Sequence, residues 1–137
     1  MPLADLLLRL VLAAGLGAAI GLEREWRQKP AGLRTNILIA LGAALFTTIS
    51  LRLGGSSETD RIAAQVVTGI GFLGAGAIMR SGQSVHGLTT AATIWVNAAV
   101  GMAAGAGEFL MATVTTVVTL VVLVLLPPIE DFFERRK

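Results

Sequence analysis

Three groups of polar residues stand out in an otherwise apolar chain. The densest is Glu23-Arg24-Glu25-Trp26-Arg27-Gln28-Lys29-Pro30-Ala31-Gly32-Leu33-Arg34-Thr35. Topology alone asks only for bases beside a span, yet here two acids, Glu23 and Glu25, are set among four bases. That mixture predicts a salt-bridged structure able to clamp other helices, bind lipid phosphate or face a partner. The plainer reading is an interfacial hinge with topology-setting charges. The second group is Thr90, Thr93, Asn97 and Gly101, spaced i, i+3, i+7 and i+11. On a helix these form one polar stripe, with Trp95 facing away. The stripe reads as interhelical hydrogen bonding or as the lining of an ion or water path. No charge sits mid-span to mark a transport route, which favours hydrogen bonding. The third group is carboxylates. Magnesium is held by one or two carboxylates plus retained waters. Asp60, near Glu58, and Glu108 fall on one outer face and form a candidate weak cation site. Each also has a plainer role, Asp60 as an N-cap and Glu108 as a favourable charge at a helix start.

Gly69-Ile70-Gly71-Phe72-Leu73-Gly74 matches G-x-G-x-x-G. A dinucleotide site needs a preceding strand and an open turn. Here the motif lies inside an apolar run, so packing is the better reading. At about 100° per residue, Gln65, Gly69 and Gly76 share one face, and Gly71 and Gly74 the opposite one. Small residues on two faces predict a helix clasped from both sides at the bundle centre. Gly17-x-x-x-Gly21 and Gly101-x-x-x-Gly105 would supply the matching surfaces. Gln65, an amide within a span, is expected to find a partner across helices or to line a cavity. With Asp60, Arg61, Thr68, Thr90, Thr93 and Asn97, these residues make up the expected bundle core or ion path. The lone His86 has no nucleophile and acid around it, so catalysis is not expected. Without cysteine, disulfides, thiolate chemistry and cysteine metal sites are excluded.

The elements that must position these residues are membrane helices. The 137 residues are 54% hydrophobic and 15% charged, where soluble domains carry about 25% charge. Mean hydropathy is +0.75. The expected fold is an all-α integral membrane protein, a five-helix bundle over about 3–22, 36–53, 62–79, 88–104 and 108–126. A span takes ~20 residues, so the second and third are short. Asp5 and Arg9 are placed for an i,i+4 pair, and Arg9 can also snorkel. Lys29-Pro30 should end the first helix, Gly32 should permit the reversal, and Thr35 or Asn36 should cap the second. Residues 54–60 and 80–87 read as polar turns. Gly105-Ala106-Gly107 is tight enough for an antiparallel hairpin. Pro127-Pro128 should end the fifth helix, closing a membrane domain over 1–128 and leaving 129–137 as a cytoplasmic interfacial tail. A cleaved signal peptide is not expected, because Met1-Pro2-Leu3-Ala4-Asp5 has no positive start.

Charge orients this bundle. Arg24, Arg27, Lys29, Arg34, Arg80, Arg135, Arg136 and Lys137 fall on one side, and Arg9, Arg52 and Arg61 on the other. The positive-inside rule then predicts an outside N-terminus and a cytoplasmic C-terminus. The bases sit at span ends and form no continuous face, so nucleic acid is not an expected partner.

At these same residues the sequence resembles the MgtC/SapB family of bacterial inner-membrane proteins, over essentially the whole chain. The matching pieces are Gly21-Leu22-Glu23-Arg24-Glu25, Lys29-Pro30-Ala31-Gly32-Leu33-Arg34-Thr35, the run from Asp60 to Gly76, Gly87-Leu88-Thr89-Thr90-Ala91-Ala92 and Trp95. The resemblance implies a multi-span protein of the N-terminal membrane-domain type, tied to magnesium limitation and, in pathogens, to survival inside host cells. It implies restraint of the F-type ATP synthase rather than proven magnesium transport. It marks Asp60, the Glu23 to Thr35 loop and the third helix as functionally sensitive. Many members carry a soluble C-terminal domain. The reading is therefore a non-enzymatic regulator without a required cofactor, acting on membrane partners and as a homo-oligomer. The opposing reading is a small transporter or channel for magnesium or another ion, using Asp60, Gln65, Thr93 and Asn97.

Overall fold

The computed structural model describes residues 1–53 and 59–135. Five helices follow one another: α1 (Leu3–Trp26), α2 (Leu33–Leu53), α3 (Thr59–Ala77), α4 (Leu88–Ala106) and α5 (Phe109–Glu134). Between α3 and α4 lie two short antiparallel strands, β1 (Met79–Ser81) and β2 (Ser84–His86). They pair Met79 with His86, Arg80 with Val85 and Ser81 with Ser84. The expected polar turn over 80–87 is thus a small hairpin, and α3 stops at Ala77 rather than Met79. Gly82, at φ +63°, makes the two-residue reversal.

Four helices are long and apolar enough to cross a bilayer: α1, α2, α4 and α5. The apolar stretch of α3, Arg61–Ala77, is shorter. Burial separates centre from rim. Within the spans, 50% of α4 and 44% of α2 are buried in the protein, against 17% for α1 and α5. The outer surfaces of α1 and α5 are Leu and Val, as lipid contact requires.

The centre is built on a four-residue ladder. Asn36, Ala40, Ala44 and Thr48 run along one face of α2. Asn97, Gly101 and Gly105 run along the facing side of α4, in parallel. A Cβ on Gly101 would overlap the Ala40 carbonyl oxygen and lie 2.9 Å from Ala40 Cα. One on Gly105 would overlap the Ala44 carbonyl oxygen and lie 2.7 Å from Ala44 Cα. Backbone meets backbone here, as small residues allow. On its other side α2 receives α1. A Cβ on Gly17 would lie 2.8 Å from Ala40 Cβ, and one on Gly21 would lie 2.9 Å from Leu33 Cα.

So the two small-residue pairs clasp α2, and the expectation that they clasp α3 is corrected. Nothing lies within 4 Å of a Cβ built on Gly69, Gly71 or Gly76. Only Gly74 touches a neighbour, 3.7 Å from the Ala91 carbonyl oxygen. The two-faced glycine pattern needs a partner on each side. α3 packs on α2 and α4 along one side only, so it lies at the rim.

Helix ends depart from expectation in two places. The α4–α5 hairpin forms as expected around Gly107, whose φ of +86° closes α4. Its N–H donates to Ala104 O at 3.1 Å, and Glu108 N–H to Ala103 O at 2.9 Å. Pro127 and Pro128, however, do not end α5, which runs on to Glu134. Their fixed φ is helical, and the lost hydrogen bonds fall on the carbonyls of Leu123 and Val124. Arg27 Nη2 donates to Val124 O at 3.5 Å, so another helix covers part of the break.

Candidate functional site

The charged segment that ends α1 and leads to α2 forms the expected salt-bridged structure. Arg24 is 3% exposed and forks onto Glu23, with Nε to Oε2 at 2.5 Å and Nη2 to Oε1 at 2.8 Å. Arg27 Nε reaches Glu23 Oε1 at 2.9 Å. One acid therefore holds two arginines, and one of these reaches on to α5.

The turn is tighter than a glycine hinge. Positive φ occurs at Gln28 (54°) and Ala31 (56°), not at Gly32. Gly32 instead leaves room for the Glu25 carboxylate, which a Cβ there would displace. That carboxylate accepts the Leu33 N–H at 3.0 Å and so caps α2. The acid sits at the positive end of the helix. Thr35 is exposed, and Asn36 turns its amide back to Ala31 O at 2.5 Å and Gly32 O at 3.0 Å. The cap expected from Thr35 or Asn36 thus comes from Glu25, on the preceding helix. The capping signal was present as an acid eight residues upstream of the α2 start, too far for local pattern reading. Arg34 is exposed beside it.

The α4 stripe is buried. Thr90 and Thr93 are each 4% exposed and Asn97 is 0% exposed. Asn97 Nδ2 donates to Asn36 O at 2.7 Å and to Asn36 Oδ1 at 3.0 Å. Thr93 Oγ1 donates back to Thr89 O at 2.7 Å. Among the described residues, Asn97 Oδ1 is the buried side-chain atom without a partner. Asn36, missed as a site residue, links the loop to the centre of the bundle.

Other residues are kept apart from this network. Gln65 and Thr68 are exposed on α3, and Thr68 Oγ1 donates to Ala64 O at 3.0 Å. Gln65 lines an open apolar groove of about 440 Å³ between α2 and α3. Arg61 is exposed near the start of α3. Asp60 lies in α3, but its side chain and all of Glu58 fall outside the described residues. Glu108 is exposed at the N-cap of α5 and makes no side-chain cap bond. Among the described residues no three His, Asp or Glu side chains gather as metal ligands do.

At the opposite end to the loop, Arg9 takes the expected Asp5 pair at 3.2 Å. Its Nη1 also donates to Gly105 O at 2.7 Å, satisfying the last turn of α4. Thr48 Oγ1 donates to the same carbonyl at 3.1 Å.

Three segments meet at the loop end and enclose a cleft of about 790 Å³. Arg24 from the last turn of α1 joins Arg27, Lys29 and Pro30 of the loop, His86 to Thr90 come from β2 and the start of α4, and Glu130 and Asp131 from α5. Gly87 begins α4 at φ +88° and makes no side-chain cap, and the first turn of that helix, Leu88 to Thr90, lines the cleft. A Cβ on Gly87 would also overlap the Ala77 carbonyl oxygen, which fixes the approach of α3 to α4.

The chain matches the MgtC family over residues 10–132. It is 52% identical over 120 residues to Protein MgtC of Salmonella typhimurium, covering 88% of this chain and 52% of that one. It is 50% identical over 133 residues to Protein MgtC of Brucella abortus, covering 97% and 56%. It is 48% identical over 130 residues to an uncharacterized protein of Synechocystis, covering 95% and 56%. The chain thus spans about half the length of these curated relatives. No solved structure matches it. With a family match over most of its length and relatives at about half identity, the chain belongs to the MgtC family.

Proposed function

We propose that this chain is a non-enzymatic regulator in the bacterial inner membrane. It serves adaptation to magnesium limitation and, in a pathogen, survival inside host cells. It acts by contact with membrane partners, the F-type ATP synthase among them, and works as a homo-oligomer. Family membership supplies the context. The observation that carries contact over transport is the fate of the α4 stripe. Asn97, its most polar member, is fully buried and bonded to Asn36, which supports a role in joining α4 to α2 over one in lining a path. The outward side of α3, with Phe72 83% exposed, remains for contact.

In this reading α3 is a fifth span. Its Ala63 and Val67 lie with Met102 and Glu108 at the end of α4, while Gly74 meets Ala91 near the start of α4. A helix of 19 residues rises about 28 Å, close to the hydrocarbon thickness. The positive-inside rule then puts the cleft and C-terminus on the cytoplasmic side.

The test is magnesium flux into liposomes holding only the purified chain, beside Asp60→Ala and Asn97→Ala variants. The regulator reading expects no flux above empty liposomes, and capture of the ATP synthase from membranes by the tagged chain. Flux that Asp60→Ala abolishes would make it a magnesium transporter and end the regulator reading.

A further inference from the structure

We propose that the cleft at the loop end of the bundle seats the headgroup of phosphatidylethanolamine, its phosphate on the loop side and its ammonium on the α5 side. The cleft opens where the apolar spans end, with Leu88, Val122 and Leu126 along its edge for acyl chains. Its walls carry opposite charge. Arg27 and Lys29 come from the loop, and Glu130 and Asp131 from the last turns of α5. Among the described residues, no ion pair within 4.0 Å joins these walls.

The charges select the ligand class. Glu23 already pairs with Arg24 and Arg27, so Lys29 is the base left for a phosphate. The first turn of α4, which no side chain caps, also lines the cleft and adds a second phosphate-binding element. A purely anionic headgroup would meet the phosphate donors but also two carboxylates. A zwitterion satisfies both walls. A primary ammonium offers three N–H donors to those carboxylates, whereas a trimethylammonium offers none. The volume is in the range of small-molecule sites.

The test is native mass spectrometry of the purified full chain in detergent. It is titrated with phosphatidylethanolamine, phosphatidylcholine and phosphatidylglycerol of matched acyl chains, and with water-soluble phosphoethanolamine. The wild type should retain phosphatidylethanolamine about fivefold or more over each other probe. Lys29→Gln should lower retention of all three lipids. The double variant E130Q/D131N should erase the preference over phosphatidylcholine and raise phosphatidylglycerol. All three side chains are exposed, and circular dichroism would check that each variant keeps its helix content. Equal retention of the ethanolamine and choline lipids by the wild type would overturn the proposal. So would a wild-type preference for phosphatidylglycerol, which would mark an anion site. Binding of soluble phosphoethanolamine as strong as that of the lipid would remove the membrane from the reading. The wild-type lipid comparison is independent of ATP synthase capture, so either reading can fail alone.

Discussion

Replacing Gly101 by alanine should separate the two central helices. The added Cβ would overlap the Ala40 carbonyl oxygen, lie 2.9 Å from Ala40 Cα and 3.0 Å from Ala40 C. All three atoms are helix backbone, so no rotamer change relieves the contact. Carbon contacts are optimal at roughly 3.5 Å or more, so α2 and α4 must part by on the order of 1 Å. α2 cannot simply retreat, because Gly17 and Gly21 hold α1 against its other side. The 2.7 Å and 3.0 Å bonds from Asn97 to Asn36 lie one turn away and would stretch with the separation. Overpacking costs ~1–3 kcal/mol and a weakened interhelical bond adds about 0.6 kcal/mol. Gly42→Ala is the control, because nothing lies within 4 Å of its Cβ. That variant should be neutral or stabilising by up to about 1 kcal/mol. Reversible unfolding in mixed SDS micelles, followed by far-ultraviolet circular dichroism, measures both. Gly101→Ala as stable as Gly42→Ala would refute the backbone-contact account.

Three further outcomes follow from the same geometry. Glu25→Ala should cost about 1 kcal/mol through the lost α2 cap, and Gly32→Ala should add little on top, because both disturb one carboxylate. Independent, additive losses in micelle unfolding would contradict this. Arg9→Met should cost about 1–2 kcal/mol and speed amide exchange at the α4–α5 turn, since the 2.7 Å bond to Gly105 O goes. Unchanged exchange there would argue against that cap. Pro128→Ala restores an N–H for Val124 O, the acceptor that Arg27 reaches at 3.5 Å. Arg27→Ala should therefore destabilise the parent more than the Pro128→Ala background, and a double-mutant cycle with zero coupling would deny the link.

Much of this arrangement was legible in the sequence, and the losses have physical causes. The four apolar runs of α1, α2, α4 and α5 stood out because lipid demands unbroken apolarity. The salt-bridged loop was readable from acids set among its bases, and the Asp5–Arg9 pair from its spacing. Partner choice was not readable. Gly17, Gly21, Gly101 and Gly105 announced close approach, but the surface they meet is Leu33, Asn36, Ala40 and Ala44 of α2, less conspicuous than the glycines of α3. Small side chains permit contact without naming a partner. The Glu25 cap reaches α2 from the preceding helix, beyond any local pattern. Pro127-Pro128 failed as a stop because proline removes donors but keeps helical φ, and tertiary contact decides the rest. In the cleft, the loop bases were foreseen as a cluster. The acids facing them needed α5 to continue, so the opposed walls could not be read from sequence.

The even spacing of the central ladder leaves its alignment underdetermined by shape. Ala40 and Ala44 are interchangeable steps, as are Gly101 and Gly105. Sliding α2 along α4 by four residues, about 6 Å, would bring one alanine against a glycine again, Ala44 on Gly101 or Ala40 on Gly105. At that step the small-residue contact alone would not distinguish the two settings. The amides do distinguish them. Displaced by one step, Asn97 would face Ala40 or lose Asn36 altogether, stranding a buried amide. The Asn36–Asn97 pair is thus a ratchet pawl for two otherwise slippery helices, and through Ala31 and Gly32 it ties that setting to the charged loop. A partner that pulls on the loop would pull on the pawl.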